Sequence, residues 1–248
     1  MTNPTPQKKV NELIDSINEM IKSGQNKDRI EEIEYEANKL KGYGQFTDAY
    51  NVLGMTAALK GQSSETDRIF SAAINHEGSR TPNTLINYAT ALNNLGRLCK
   101  AVVIIDEVVS MAPENLFYIT EAIRHHHDAC DFTGVIELTN RAETLGTNIN
   151  LFKEDVNNFF VADLLTEHNV SWQELSTRIE IASNTLHNIG LVPRFNRLKD
   201  IEGVLYYEFN IDADSDLVSK GENAIIDAIA QEPYSPVDDL LYITCSTL

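Results

Sequence analysis

The chain has 248 residues, 42% of them hydrophobic, and a formal net charge of −17. This is enough apolar material for one elongated domain or two small ones, and an acidic surface repels phosphate backbones, so nucleic acid is not expected as a partner. The three cysteines, Cys99, Cys130 and Cys245, are dispersed and odd in number. This pattern argues against a disulfide framework and favours a reducing compartment.

The first residues, MTNPTPQKKVNELIDS, contain no apolar signal core after the lysines. No apolar run approaches the roughly 18 residues that a membrane-spanning helix needs. We therefore predict a cytoplasmic protein with no membrane association.

Apolar residues recur at helical spacing almost to residue 189. Those from Val10 to Ile21 mark a first helix, KSGQNKD predicts a turn, and RIEEIEYEANKLKG predicts a second helix. A capping box of Ser171 and Glu174 is predicted to open the last helix of this region. The remaining helices are predicted at about 47–60, 64–77, 83–95, 98–111, 116–129, 132–145, 151–168 and 172–188.

These ten helices form five pairs with a period near 34 residues, which indicates a repeat architecture. Residues 83–115 align with residues 48–80 and 117–148, so that Gly96 aligns with Gly61 and Cys130. The middle repeat has small residues where its helices would cross, a glycine in its tight turn, and a proline after its second helix. Ala89 and Ala101 are the small residues, and Gly96 lies in the turn. Leu98 begins the second helix, and Pro113 follows it.

This pattern resembles the tetratricopeptide repeat, most clearly over residues 47–149. The resemblance implies a mostly α fold: an α-solenoid of about five helix pairs over residues 1–190, whose first helices line a concave, partner-binding face. The segment GYGQFTDAY (42–50) also matches an intra-repeat turn, so a register shifted by one helix is the alternative for the N-terminal pairing.

After Gly190 the pattern changes to strand-like alternation. LVPRFNRL and GVLYYEFNI predict two strands joined by a turn at KDIEG, and Pro193 confines the first to a sheet edge. SKGENAIIDAIAQE predicts a helix capped by Ser219 and Glu222, and LLYITCS predicts a final strand. Residues 191–248 are thus predicted to form a small acidic α/β (ββαβ) module. We expect it to dock on the last helices or to form a homodimer through its C-terminal strand edge.

The segment RHHHDACDF (124–132) holds three histidines, two aspartates and a cysteine. Consecutive helical residues lie about 100° apart, so three adjacent histidines cannot face one ion, and zinc needs three or four converging ligands. We predict ordinary helix surface and no metal site, with a partner-binding face or a metal site as the alternatives.

DADSD (212–216) begins like a calcium loop. Leu217 stands where the loop needs glycine and Asn223 stands where it needs a bidentate glutamate. We therefore predict a strand end followed by a helix cap, with magnesium beside a bound nucleotide as the alternative. Motifs for phosphate loops, nucleophile elbows, zinc proteases and dinucleotide binding are absent from the sequence, so no catalytic residue and no cofactor is predicted.

The concave face is the predicted binding site. Asparagines with scattered apolar groups suit an extended peptide, because an amide both donates to and accepts from a backbone. The predicted site residues are Asn51, Met55, Asn83, Ile86, Asn87, Thr90, Asn93, Asn94, Phe117, Thr120, Arg124, His127 and Asp128.

The sequence therefore predicts a non-enzymatic interaction protein, such as an adaptor, scaffold or chaperone-like protein, that binds a partner peptide or helix. One alternative is an acidic regulator, of immunity or antitoxin type, that acts through the C-terminal module. A second alternative is an enzyme with its site between solenoid and cap.

Overall fold

The computed structural model describes residues 6–23, 27–76, 80–147 and 156–247. These residues contain eleven α-helices, ten of them before residue 190, and one three-stranded sheet near the C-terminus. The prediction of a mostly α chain with a small C-terminal α/β module is therefore confirmed. The helices are α1 (Pro6–Ser23), α2 (Lys27–Gly42), α3 (Phe46–Leu59), α4 (Ser63–Asn75), α5 (Pro82–Asn94), α6 (Leu98–Met111), α7 (Leu116–Asp128), α8 (Phe132–Thr144), α9 (Val156–Glu167), α10 (Trp172–Asn188) and α11 (Ser215–Ala230).

From α3 to α8 and in α10, the predicted helix ends agree with the structure to within one or two residues. The predicted capping box of α10 is present: Ser171 Oγ accepts from Glu174 N at 3.2 Å, and Glu174 Oε2 accepts from Ser171 N at 2.8 Å. The centre of the predicted turn at 22–28 and the first residues of the predicted helix 151–168 lie outside the described residues. Each described helix is too short or too polar to cross a membrane.

A three-residue turn with a left-handed central residue recurs between the helices. That geometry is most accessible to glycine, because a side chain at positive φ meets the backbone. The central φ angles are 80°, 71°, 70° and 58° at Gly44, Gly61, Gly96 and Cys130. Since α3 has this turn on both sides, the turn geometry fits both of the predicted N-terminal registers.

The chain divides into two compact units, Met1–Leu95 and Gly96–Leu248. In the first unit, α3 and α4 approach closely at Gly54, where a Cβ would overlap the buried ring of Phe70. Phe70 stacks on Tyr88 with the ring centroids 4.7 Å apart. The Tyr88 hydroxyl donates to Asp67 Oδ1 at 2.6 Å, so the aromatic pair keeps its polar end satisfied.

In the second unit, the sheet shares one core with the helices of that unit. Leu205, Tyr207 and Phe209 are buried in the cluster that also contains Val102 of α6 and Ile179 of α10. The unit boundary therefore differs from the boundary predicted at residue 190. A module of this size is marginal as an independent core, and it completes its core against the helices, as expected for docking on the last of them.

The sheet has the order β1-β2-β3, with β1 (Pro193–Ile201) antiparallel to β2 (Val204–Ile211) and β3 (Leu241–Thr247) parallel to β2. Glu202 and Gly203 have φ angles of 55° and 83°, which suits a tight hairpin whose twist matches the strands. The predicted ββαβ order and the edge position of β1 are confirmed.

The start of α11 differs from the prediction. Asp214 is its N-cap and accepts a hydrogen bond from Leu217 N at 2.8 Å. Ser219 and Glu222 therefore lie inside the helix and do not cap it. The aspartate-rich segment forms a strand end and a helix cap, as predicted for DADSD.

Candidate functional site

The predicted site residues of α3 are buried. Asn51 and Met55 are 5% and 1% exposed, because α3 contacts α1, α2, α4 and α5. These two residues cannot meet a partner in this conformation, and that part of the predicted face is wrong.

On α5, the six predicted residues share one partly open face. Asn83 is exposed, and the other five are half-buried. The amide nitrogen of Asn94 is buried and has no hydrogen-bond partner among the described residues. These half-buried residues are Ile86, Asn87, Thr90, Asn93 and Asn94.

On α7, which belongs to the second unit, the five predicted residues also share one helix face, and we call this set the α7 face. They are Phe117, Thr120, Arg124, His127 and Asp128, which recur at the spacing of one helical stripe.

The α7 face combines an open aromatic ring with fixed charges. The side chain of Phe117 is 58% exposed. Arg124 Nη2 donates to Glu121 Oε2 at 2.7 Å, and Arg124 Nη1 lies 3.9 Å from Asp128 Oδ2. These contacts hold the guanidinium along the helix, so the face presents one apolar and several polar groups in a defined arrangement.

The opposite side of α7 corrects the prediction for RHHHDACDF. His125, His126, Cys130 and Asp131 are 0%, 5%, 2% and 5% exposed, so the segment is not ordinary helix surface. The left-handed turn at Cys130 reverses the chain and places Asp131, at the start of α8, against His126. A helical projection of α7 alone cannot reveal this contact.

His126 lies between two carboxylates. Its Nδ1 is 2.6 Å from Asp131 Oδ2, and its Nε2 is 2.9 Å from Asp106 Oδ1 of α6. An imidazole can donate from both ring nitrogens at once only when it is protonated, so the two facing carboxylates favour the imidazolium form. Gly134 makes room for the contact, since a Cβ there would overlap His126 Nδ1 and Asp131 Oδ2. We call Asp106, His126 and Asp131 the histidine clamp.

The pKa values of the two adjacent histidines move in opposite directions. Burial lowers the pKa of His126, but the hydrogen bonds and charges of Asp106 and Asp131 outweigh it and raise the pKa to about 9. Burial lowers the pKa of His125 to about 3, helped by the charges of Arg124 and His126. His125 Nδ1 has no hydrogen-bond partner among the described residues.

These shifts predict a two-sided pH dependence of the free energy of unfolding. Both histidines titrate near 6.5 when unfolded. The stabilisation from His126 is complete below 6.5 and is lost as the pH rises toward about 9. His125 stays neutral in the fold, so stability falls as the pH drops from 6.5 toward about 3.

Urea unfolding across this range, on the native chain and two variants, checks the assignment. His126→Leu should flatten chiefly the alkaline limb, and His125→Phe should flatten chiefly the acid limb. Identical slopes in the native chain and both variants would contradict it.

The cysteine thiols and the possible metal ligands are the remaining candidates for a chemical role. Burial raises the pKa of the Cys99 and Cys130 thiols and raises that of Cys245 to about 12, which disfavours a nucleophilic thiolate. Within the described part of the chain, no three side chains of metal-ligand type are grouped to hold an ion. The absence of a metal from the protein remains a prediction.

Comparison of this chain with protein-family models, with curated proteins and with solved structures finds no match.

Proposed function

We propose that this chain is a cytoplasmic, non-enzymatic interaction protein of tetratricopeptide-repeat type that binds a segment of a partner protein. The observation that carries the proposal is the α7 face, on which Phe117, Arg124 and Asp128 lie along one helix stripe. Three free, separated cysteines support a reducing compartment.

The α7 face suits a peptide or helix because it offers one anchor and several orienting groups. The exposed ring of Phe117 would cover an apolar side chain of the partner, and aromatic and arginine side chains are enriched in binding surfaces. Arg124, His127 and Asp128 would set the direction of the bound segment. The α5 residues, Asn83 to Asn94, are a second proposed contact set, supported by the amide nitrogen of Asn94, for which the described part of the chain provides no hydrogen-bond partner.

The first test is capture of a partner from the native host by the full chain, followed by calorimetric titration of the purified partner. Phe117→Ala with Arg124→Ala should weaken binding at least tenfold, equivalent to about 1.4 kcal/mol. Val103→Ala is the matched control, since Val103 is a 66% exposed apolar side chain on α6. It should leave the affinity unchanged.

Unchanged affinity of the Phe117→Ala, Arg124→Ala double variant for the partner would contradict the proposal. If binding instead weakened steeply with salt and were insensitive to Phe117, the acidic-regulator alternative would replace it. A metal or nucleotide that co-purifies stoichiometrically would favour the enzyme alternative.

A further inference from the structure

The two edges of the sheet differ in their protection against strand addition. Edge strands are usually blunted by proline, bulges or charged side chains. β1 has Pro193, a register shift between Pro193 and Phe195, and the charged residues Arg197 and Lys199. Its edge is therefore blocked by all three devices.

β3 has none of these devices. Its sequence, LYITCST, contains no proline and no charge. It pairs with β2 without a shift from Leu205↔Leu241 to Ile211↔Thr247. Because β3 is the last strand in the order β1-β2-β3, its other edge is not paired with any described strand.

The direction of the open backbone groups follows from the parallel pairing. Leu205 N donates to Leu240 O at 2.7 Å. In a parallel pair, alternate residues of a strand direct both backbone groups toward the neighbour. Residues 242, 244 and 246 therefore face β2, and Ile243, Cys245 and Thr247 direct their backbone groups outward.

The charge around this edge determines the kind of partner. Between Asp200 and Leu248 there are eleven acidic residues and one lysine, a balance of −10. Asp212, Asp214 and Asp216 directly follow β2, at the end of the sheet where the parallel β3 also ends, and all three are exposed. A second copy would bring like charges together, whereas a basic segment would be attracted.

An aromatic pair lies beside the open edge. Tyr206 and Tyr242 are register partners with ring centroids 5.4 Å apart, and Tyr242 is 55% exposed. Lysine and arginine side chains pack favourably over such rings. The edge thus offers backbone hydrogen bonds, an aromatic surface for cations and carboxylates at one end.

We propose that β3 binds an extended, lysine- or arginine-containing segment of a partner protein by strand addition. Main-chain hydrogen bonds to Ile243, Cys245 and Thr247 supply the affinity, and Asp212 and Asp216 attract the positive charges. This surface uses none of the residues of the α7 face, so a negative result for one proposal does not affect the other.

The test uses the full chain and two acetylated, amidated heptapeptides: one alternating lysine and valine, the other alternating glutamate and valine. Fluorescence anisotropy measures their affinity at low and high ionic strength. The lysine peptide should bind, should bind more weakly at high salt, and should lose at least tenfold in affinity for Cys245→Pro. Cys245→Ala is the matched control, because it removes the thiol and keeps the outward N–H, and its affinity should be unchanged.

Three further variants keep the test decisive. If Cys245→Pro does not fold, Thr247→Pro against Thr247→Ala repeats the comparison at the strand end. Asp212→Asn with Asp216→Asn should weaken the lysine peptide and leave the fold intact, since Asp214 retains the α11 cap.

Several results would overturn the proposal. They are no binding of the lysine peptide, equal binding of the two peptides, or equal affinity of the proline and alanine variants. A dimer in sedimentation equilibrium that Cys245→Pro dissociates would assign the edge to a second copy instead.

Discussion

Replacing His126 with leucine should cost about 3–5 kcal/mol of the free energy of unfolding. The leucine fills much of the ring's volume, but it leaves the Asp131 carboxylate, whose side chain is 8% exposed, without its cation. Breaking a buried ion pair by removing one partner carries a cost of this size, because the remaining charge stays out of water. Urea unfolding near neutral pH measures the loss.

Two variants distinguish the cost of leaving the buried Asp131 charge unpaired from the cost of lost packing around residue 126. Asp106→Asn should cost no more than about 1 kcal/mol, because the Asp106 side chain is 55% exposed. Adding Asp131→Asn to His126→Leu should recover part of the loss, since asparagine removes the charge and still caps α8. A loss below about 1 kcal/mol for His126→Leu would show that the clamp is not a structural element.

Replacing Arg178 with alanine should destabilise the second unit by about 2–5 kcal/mol, the usual cost of truncating one partner of a hydrogen-bonded charge pair. Arg178, on α10, is 5% exposed. Its Nε and Nη2 donate to the two oxygens of Asp238 at 2.7 and 2.9 Å, and Nη2 also donates to Pro233 O at 2.6 Å. These bonds hold the segment that leads into β3.

Hydrogen exchange gives the local measurement for this contact. Backbone amides of residues 231–247 should exchange faster in Arg178→Ala, and Arg178→Lys should be intermediate because an ammonium cannot form the two-pronged contact. The comparison variant is Ser235→Ala, which removes the hydrogen bond to Glu174 Oε1 at 2.9 Å and the side-chain half of the capping box with Asp238, but keeps the Arg178–Asp238 pair. It should cost about 1 kcal/mol. Unchanged exchange across this segment in Arg178→Ala would contradict the assigned role.

Local signals account for the parts of the fold that were predicted from the sequence. Apolar residues at helical spacing located the helices, since the apolar stripe and the stop signal of each helix are encoded within it. The capping box at Ser171 and the hairpin before Gly203 were also predicted, because each depends on a few adjacent residues. The helix cap was misplaced because Ser219 and Glu222 form a plausible box, while Asp214 begins the helix one turn earlier.

The sequence by itself thus determined the mostly α architecture, the ββαβ order and the acidic character of the C-terminal region. Only the tertiary structure decided which helix faces are covered, because coverage depends on neighbours distant in sequence. Asn51 and Met55 are buried since α3 has helices on several sides, and His126 is buried between Asp106 and Asp131, which come from two other elements. The boundary at Leu95 likewise follows from the core that the sheet shares with the helices before it.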